Sequence, residues 1–157
     1  MKISAQEEYG LRCILQLARK GAGEIGTISE IAGKEGLSVE YTGKLMMLLR
    51  HAHLVESLRG KNGGYVLGAV PEEISLGQVM RALSKPLFLE ETCDDYPGQV
   101  AECVHRRECS IRPVWVTIGT LFNGMLDNLC LADLFDNEAA VASKVRQRLL
   151  LEMCPVH

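Results

Sequence analysis

Three of the six cysteines in this 157-residue chain, Cys93, Cys103 and Cys109, fall in one polar segment with nine and then five residues between them. A thiolate is a soft donor suited to iron-sulfur clusters and to zinc, and a bendable segment can wrap such ligands around an irregular group. His105 stands between the second and third cysteines, which is the composition of a Cys3His zinc site. Arg106 and Arg107 beside it would instead lower the thiol pKa values and favour a redox switch without metal. Spacing leaves cluster, zinc, metal-free thiol chemistry and an inert group all open. Cys13 and Cys130 fall at or beside apolar helical positions, where a free cysteine behaves as a small hydrophobe, and Cys154 lies by the end of the chain. The chain opens Met1-Lys2-Ile3-Ser4 and turns polar at Gln6-Glu7-Glu8, without a secretory-type apolar stretch, and no apolar run is long enough for a bilayer. A cytoplasmic protein with no membrane partner is expected. In that compartment grouped cysteines favour cofactors over structural disulfides.

A second chemistry lies in the charge. The net charge is -3, yet residues 1 to 70 hold nine Lys or Arg against seven acids, and residues 71 to 157 hold eight against thirteen. Between 41 and 70, Lys44, Arg50, Arg59 and Lys61 face Glu56 alone. Such a local positive patch suits a phosphate backbone. With 47% hydrophobic and 24% charged residues the composition is that of an ordinary globular protein. The four histidines, His51, His53, His105 and His157, sit in segments without a nucleophile and acid partner, so no enzyme is expected.

The elements that must position these groups can be placed from periodicity and caps. Leu11, Ile14, Leu15 and Ala18 recur at helical spacing from Ser4 to Lys20. Thr27-Ile28-Ser29-Glu30 reads as a capping box, with Glu30 reaching back, and opens a short helix that closes at Gly36. Ser38 caps a third helix, Val39 to His51, with Leu45, Leu48 and Leu49 inward, so the pair resembles a helix-turn-helix. Leu54 to Leu58 and Tyr65 to Leu67 read as strands joined by Arg59-Gly60-Lys61-Asn62-Gly63-Gly64, and a hairpin in that place is a wing. Ser75 caps a helix through Leu76, Val79, Met80 and Leu83 that ends at Pro86. Residues 90 to 110 are too polar to pack on themselves. Ser110 and Pro113 mark the start of a long helix over 113 to 130, with Ile118, Leu121, Phe122, Met125 and Leu129 on one face. A last helix runs from about Asn137 to Glu152 with Val141, Val145, Leu149 and Leu150 on one side. Met46 and Met47 read as core or edge residues, and Trp115 as an anchor for the loop end.

Over residues 1 to 135 the chain resembles the winged-helix transcription regulators that include IscR, NsrR and RirA. The resemblance rests on Glu8-Tyr9-Gly10-Leu11-Arg12, the wing Arg59-Gly60-Lys61-Asn62-Gly63-Gly64-Tyr65-Val66-Leu67 and Ile74-Ser75-Leu76-Gly77-Gln78-Val79. Three cysteines before a long helix and Leu131-Ala132-Asp133-Leu134 after it complete the pattern. The resemblance implies a homodimer built on the long helix, each protomer presenting a wing and a recognition helix to double-stranded DNA at a pseudo-palindromic operator. It also implies an iron-sulfur cluster, 2Fe-2S or 4Fe-4S, on Cys93, Cys103 and Cys109. Glu8 stands where some members place an acidic fourth ligand donated across the dimer, and His105 is the alternative. Two departures bear on the cluster type: the nine-residue gap after Cys93, and Arg112 where some members carry a ligating histidine.

The expected fold is mainly α with a small β-hairpin wing: a winged helix-turn-helix over 1 to 85, a cysteine-containing sensor loop over 86 to 112, and a dimerisation helix with a C-terminal helix over 113 to 157. The amino end of the third helix would enter the major groove, placing Ser38, Glu40, Tyr41, Thr42 and Lys44 near bases and phosphates. Arg59 suits a narrow minor groove, while Gly60 and Lys61 let the wing approach the sugar-phosphate wall. The function expected is DNA binding controlled by the cluster. A thiol-based or partner-controlled regulator is the alternative, and an iron-sulfur carrier is a further one that the intact positive wing disfavours.

Overall fold

Four serine and threonine hydroxyls set where the first half of the chain turns helical. The computed structural model describes residues 3–21, 23–60, 63–84 and 96–153, with the backbone alone at 149–153. Ser4 caps α1 (Ala5–Ala18), its hydroxyl accepting from the Glu7 N–H while the Glu7 carboxylate accepts from the Ser4 N–H at 2.7 Å. Thr27 caps α2 (Ile28–Glu35), Ser38 caps α3 (Val39–His51) and Ser75 caps α4 (Leu76–Leu83), each hydroxyl accepting from an amide three residues on. Such a cap stabilises a helix by about 1 kcal/mol. At Thr27 the reciprocal half expected from Glu30 is absent; that carboxylate turns instead to Lys20 at 2.7 Å and Lys34 at 3.4 Å. Two lysines within reach outcompete one backbone amide for the charge.

α1, α2 and α3 pack around Ile14, Leu17, Ile31, Leu45, Met46 and Leu49, all at most 1% exposed. Truncating any of the larger ones to alanine is expected to cost about 2–5 kcal/mol. β1 (Val55–Leu58) and β2 (Gly64–Leu67) pair antiparallel, with Val55 opposite Leu67 and Leu58 opposite Gly64. A bridge between Gly26 and Tyr65, with both backbone bonds at 2.9 Å, fastens this hairpin to the segment between α1 and α2. The result is the winged helix-turn-helix expected from the sequence.

Beyond the wing, α4 lies against α5 (Arg112–Asp127). Both terminal nitrogens of the Arg81 guanidinium donate to Asp127, at 3.1 and 2.7 Å, and Gly77 leaves room for that carboxylate at the crossing. A short 3-10 turn, Leu131–Leu134, follows. Cys130, expected to act as a small hydrophobe, heads it as a polar group: its N–H and its Sγ both lie on Asp133 Oδ2, at 2.9 and 3.2 Å. Asp133 is buried and meets Arg148 of α6 (Glu138–Met153) at 2.8 Å, so an ion pair docks the last helix. Among the described residues no helix is long and apolar enough to cross a membrane.

Candidate nucleic-acid interface and sensor segment

Amphipathicity decides which side of α3 is free. Thr42, Leu45, Met46 and Leu49 form its buried face, so Glu40, Lys44, Met47 and His51 lie on the opposite side, with half-buried Gly43 at its border. Ser38 and Lys44 are exposed as the sequence predicted; Lys44 sits 3.2 Å from Glu40, one helical turn back. Tyr41 is half-buried and packs edge-on against Tyr9 of α1, with ring centroids 6.2 Å apart. Thr42 is a correction. It is 0% exposed and its hydroxyl has no hydrogen-bond partner among the described residues, so in this structure it is a core residue that cannot reach DNA. Met47, by contrast, is 42% exposed on the outward face, although the sequence placed it in the core or at its edge.

In the wing, Arg59 and Gly60 are exposed at the tip, and Lys61 lies outside the described residues. Gly60 has φ +117°, a conformation that residues with a Cβ rarely adopt. Contacts within the chain demand the next two glycines: a Cβ on Gly63 would meet the Leu58 carbonyl at 2.5 Å, and one on Gly64 would meet the Gly26 carbonyl at 2.7 Å. Their absent side chains therefore build the hairpin before they serve any approach to DNA.

The cysteine-containing segment arrives at the head of α5. Ser110, expected as the cap, does not act as one; the N-cap residue is Ile111, which makes no side-chain cap bond, and Pro113 lies in the first turn. The backbone N–H groups of Arg112 and Ile111 instead donate to the Cys109 sulfur. Those bonds, with the Arg112 charge, hold the Cys109 thiol below its ordinary value against a smaller opposing effect of desolvation. Arg112 and its neighbour's amide thus do what the sequence assigned to Arg106 and Arg107. The Arg112 guanidinium also folds back onto the carbonyls of Arg106 at 2.6 Å and His105 at 3.4 Å. With the Cys103 carbonyl accepting from the Arg106 N–H at 3.0 Å, the stretch from Cys103 to Cys109 is a turn pinned to the helix. Cys103 and Cys109 are half-exposed and His105 is exposed. Glu8 is exposed on the first turn of α1, next to the buried Glu7. Cys93 lies outside the described residues. Among the described residues no three His, Cys, Asp or Glu side chains come together, so within the chain Glu8 and His105 form no ligand group with Cys103 and Cys109. The two half-exposed thiols themselves, one shifted toward thiolate, suit a thiophilic group.

Cys13 is buried within α1, and desolvation pushes its thiol up to about 11, so it stays protonated and inert. The exposed side of α5 carries Ile111, Val114, Trp115, Ile118 and Leu121, between 42% and 60% exposed. Trp115 belongs to that stripe. Leu129, expected on it, packs into the core past the end of the helix.

A helix-turn-helix with a wing at its side, both in the positive part of the chain, defines a DNA-binding transcription regulator of the winged-helix class. The family profile described as "Rrf2: Iron-dependent Transcriptional regulator" matches residues 3–137, and this chain belongs to that family. It is 35% identical over 134 residues to the HTH-type transcriptional regulator CymR of Bacillus subtilis, covering 85% of this chain and 89% of that one. The solved structure of CymR, "the Global Cysteine Regulator of B. subtilis", superposes with a TM-score of 0.66 over 85% of this chain and 95% of that chain. The chain is also 30% identical to the regulator NsrR of Bacillus licheniformis, over 88% of this chain and 94% of the relative. A T. potens IscR structure has 29% identity and a TM-score of 0.66, covering 85% of each chain. All are transcription regulators, not enzymes. The family match ends at 137, so α6 lies beyond it.

Proposed function

We propose that this regulator binds a pseudo-palindromic operator as a homodimer and that an iron-sulfur cluster on Cys93, Cys103 and Cys109 sets its affinity. Glu8 of the other subunit would be the fourth ligand, with His105 the alternative. The observation that carries the reading is the turn from Cys103 to Cys109, pinned by Arg112 and by the amides at the head of α5. When bound, the cluster supplies a centre that iron supply or oxidants can remove or alter. The exposed apolar stripe of α5 is the surface for a second copy, since a 16-residue helix bares it along one side.

From that helix a chain of contacts leads to the DNA-facing side. Arg81 and Asp127 join α5 to α4. Ser84 at the end of α4 donates to Glu7 at 2.5 Å, joining it to α1. Tyr9 then meets Tyr41 on α3. Ordering the cysteine segment therefore biases the placement of α3, with a coupling of about 1–3 kcal/mol, the usual size for such switches.

Anaerobic purification followed by visible absorption and iron and sulfide assay tests the reading. Cys93→Ala, Cys103→Ala and Cys109→Ala should each abolish the absorption, Glu8→Ala should retune it, and Cys13→Ala should leave it intact. A second reading, a thiol switch without metal, is favoured by the lowered Cys109 thiol and by the similarity to a regulator titled for cysteine. Colourless, iron-free protein whose operator affinity follows thiol oxidation would establish it instead.

A further inference from the structure

We infer that the outward face of α3 reads thymine methyl groups, through Met47 and the gap that Gly43 leaves beside it. This rests on α3 being the helix that enters the major groove. Met47 is a large apolar side chain, 42% exposed, on the face that carries Glu40 and Lys44. Gly43 lies four residues before it, in the neighbouring position of the same helical row. A Cβ on Gly43 would meet only the Ile28 Cδ1 atom, at an ordinary 3.8 Å, and the backbone there is not left-handed. Neither packing nor conformation requires glycine at this point, although glycine is the poorest helix former after proline. Gly43 is half-buried, at the border between the packed side of the helix and the outward face.

The outward face thus offers a methionine side chain and, at its border, the notch of a position without one, with Lys44 and Glu40 close by. Lys44, Arg50 and Arg59 give the surroundings the sign that suits phosphates, which commits the notch to duplex DNA as its occupant. In the major groove the one apolar group on a base edge is the C5-methyl of thymine. Methionine, unbranched and polarisable, adapts to such a contact. Each half-site should therefore place a thymine opposite this notch.

The test uses the full-length protein and an operator selected by it from random duplexes. Each thymine of a half-site is then replaced in turn by deoxyuridine, which removes only the methyl. Wild type should lose about fourfold in affinity at one or two positions, the effect of unburying one methyl-sized group. Met47→Ala should lose less than about 1.5-fold at the same positions, and Met47→Leu should keep the discrimination, because leucine still buries the methyl. Gly43→Ala should raise the melting temperature by about 2–4 °C, as a better helix former, while weakening operator binding severalfold. No loss for any deoxyuridine, an equal loss in Met47→Ala, or unchanged binding by Gly43→Ala each overturns the inference. Failure of a different kind, with no sequence enriched or with binding indifferent to Lys44→Ala and Arg59→Ala, would show that the DNA interface itself lies elsewhere.

Discussion

Replacing Thr42 with valine should stabilise the protein and leave operator affinity unchanged. The hydroxyl is completely buried beside Leu45, Met46 and Leu49 and has no hydrogen-bond partner among the described residues. A buried hydroxyl left unsatisfied costs about 1–3 kcal/mol. Valine keeps the branching, puts a methyl where the oxygen stands and has nearly the same helix propensity, so recovery of about 1–2 kcal/mol is expected. For a chain of this size that corresponds to a rise of about 2–8 °C in melting temperature. Urea and thermal denaturation at one fixed protein concentration measure it, since dimerisation would otherwise enter the midpoint. A gel-shift titration measures affinity in parallel, where less than about twofold change is expected because surface substitutions' usual routes to DNA do not exist for a core residue. A valine variant less stable by about 1 kcal/mol would mean that the hydroxyl has a partner whose loss is felt. A tenfold loss of operator affinity, about 1.4 kcal/mol, at unchanged stability would return Thr42 to the DNA interface and refute the assignment of the inner face of α3.

Arg59→Ala should weaken specific operator binding by about 1–3 kcal/mol, whereas Lys44→Ala should lower the slope of log affinity against log salt by about one, provided it meets phosphate; titrations at several salt concentrations separate the two. Leu121→Glu with Met125→Glu should yield monomers in sedimentation, and a well-folded monomeric wild type would remove the proposed interface. The Glu7 carboxyl is buried, which raises its pKa, but bonds from the Ser84 hydroxyl and from the Ser4 N–H and hydroxyl outweigh this and hold it below its ordinary value. Its contribution is therefore present above the unfolded value, about pH 4.3, and lost as pH falls toward the folded one. Glu7→Gln should flatten the decline of the urea midpoint on acidification of the metal-free protein; an unchanged decline would contradict this linkage.

Local chemistry made much of the fold legible. Ser4, Thr27, Ser38 and Ser75 cap helices through bonds that reach only three residues along the chain, so their signal lies within a few letters. The hairpin was legible for a related reason: Gly60 supplies a left-handed turn, and Gly63 and Gly64 supply the close approaches that a two-stranded wing needs. Charge was readable too, because the segment holding Lys44 and Arg59 is positive whatever its fold.

Tertiary structure decided the rest, wherever several partners competed for one group. Thr42 shares the face of Leu45 and Leu49 although it is polar, and Met47 lies opposite although it is apolar; packing of α3 against α1 and α2 follows position on the helix and not polarity, and so buries one and bares the other. Glu30 left its capping role because Lys20 stands beside it only in the folded chain. Cys130 became a polar cap because Asp133 is itself held by Arg148. Ser110 lost the head of α5 to Cys109, since Arg112 folds the turn back so that the sulfur, not the hydroxyl, receives the free amides. Sequence determines which groups can make a bond, and only the packed chain decides which of several near-equal partners is close enough to make it.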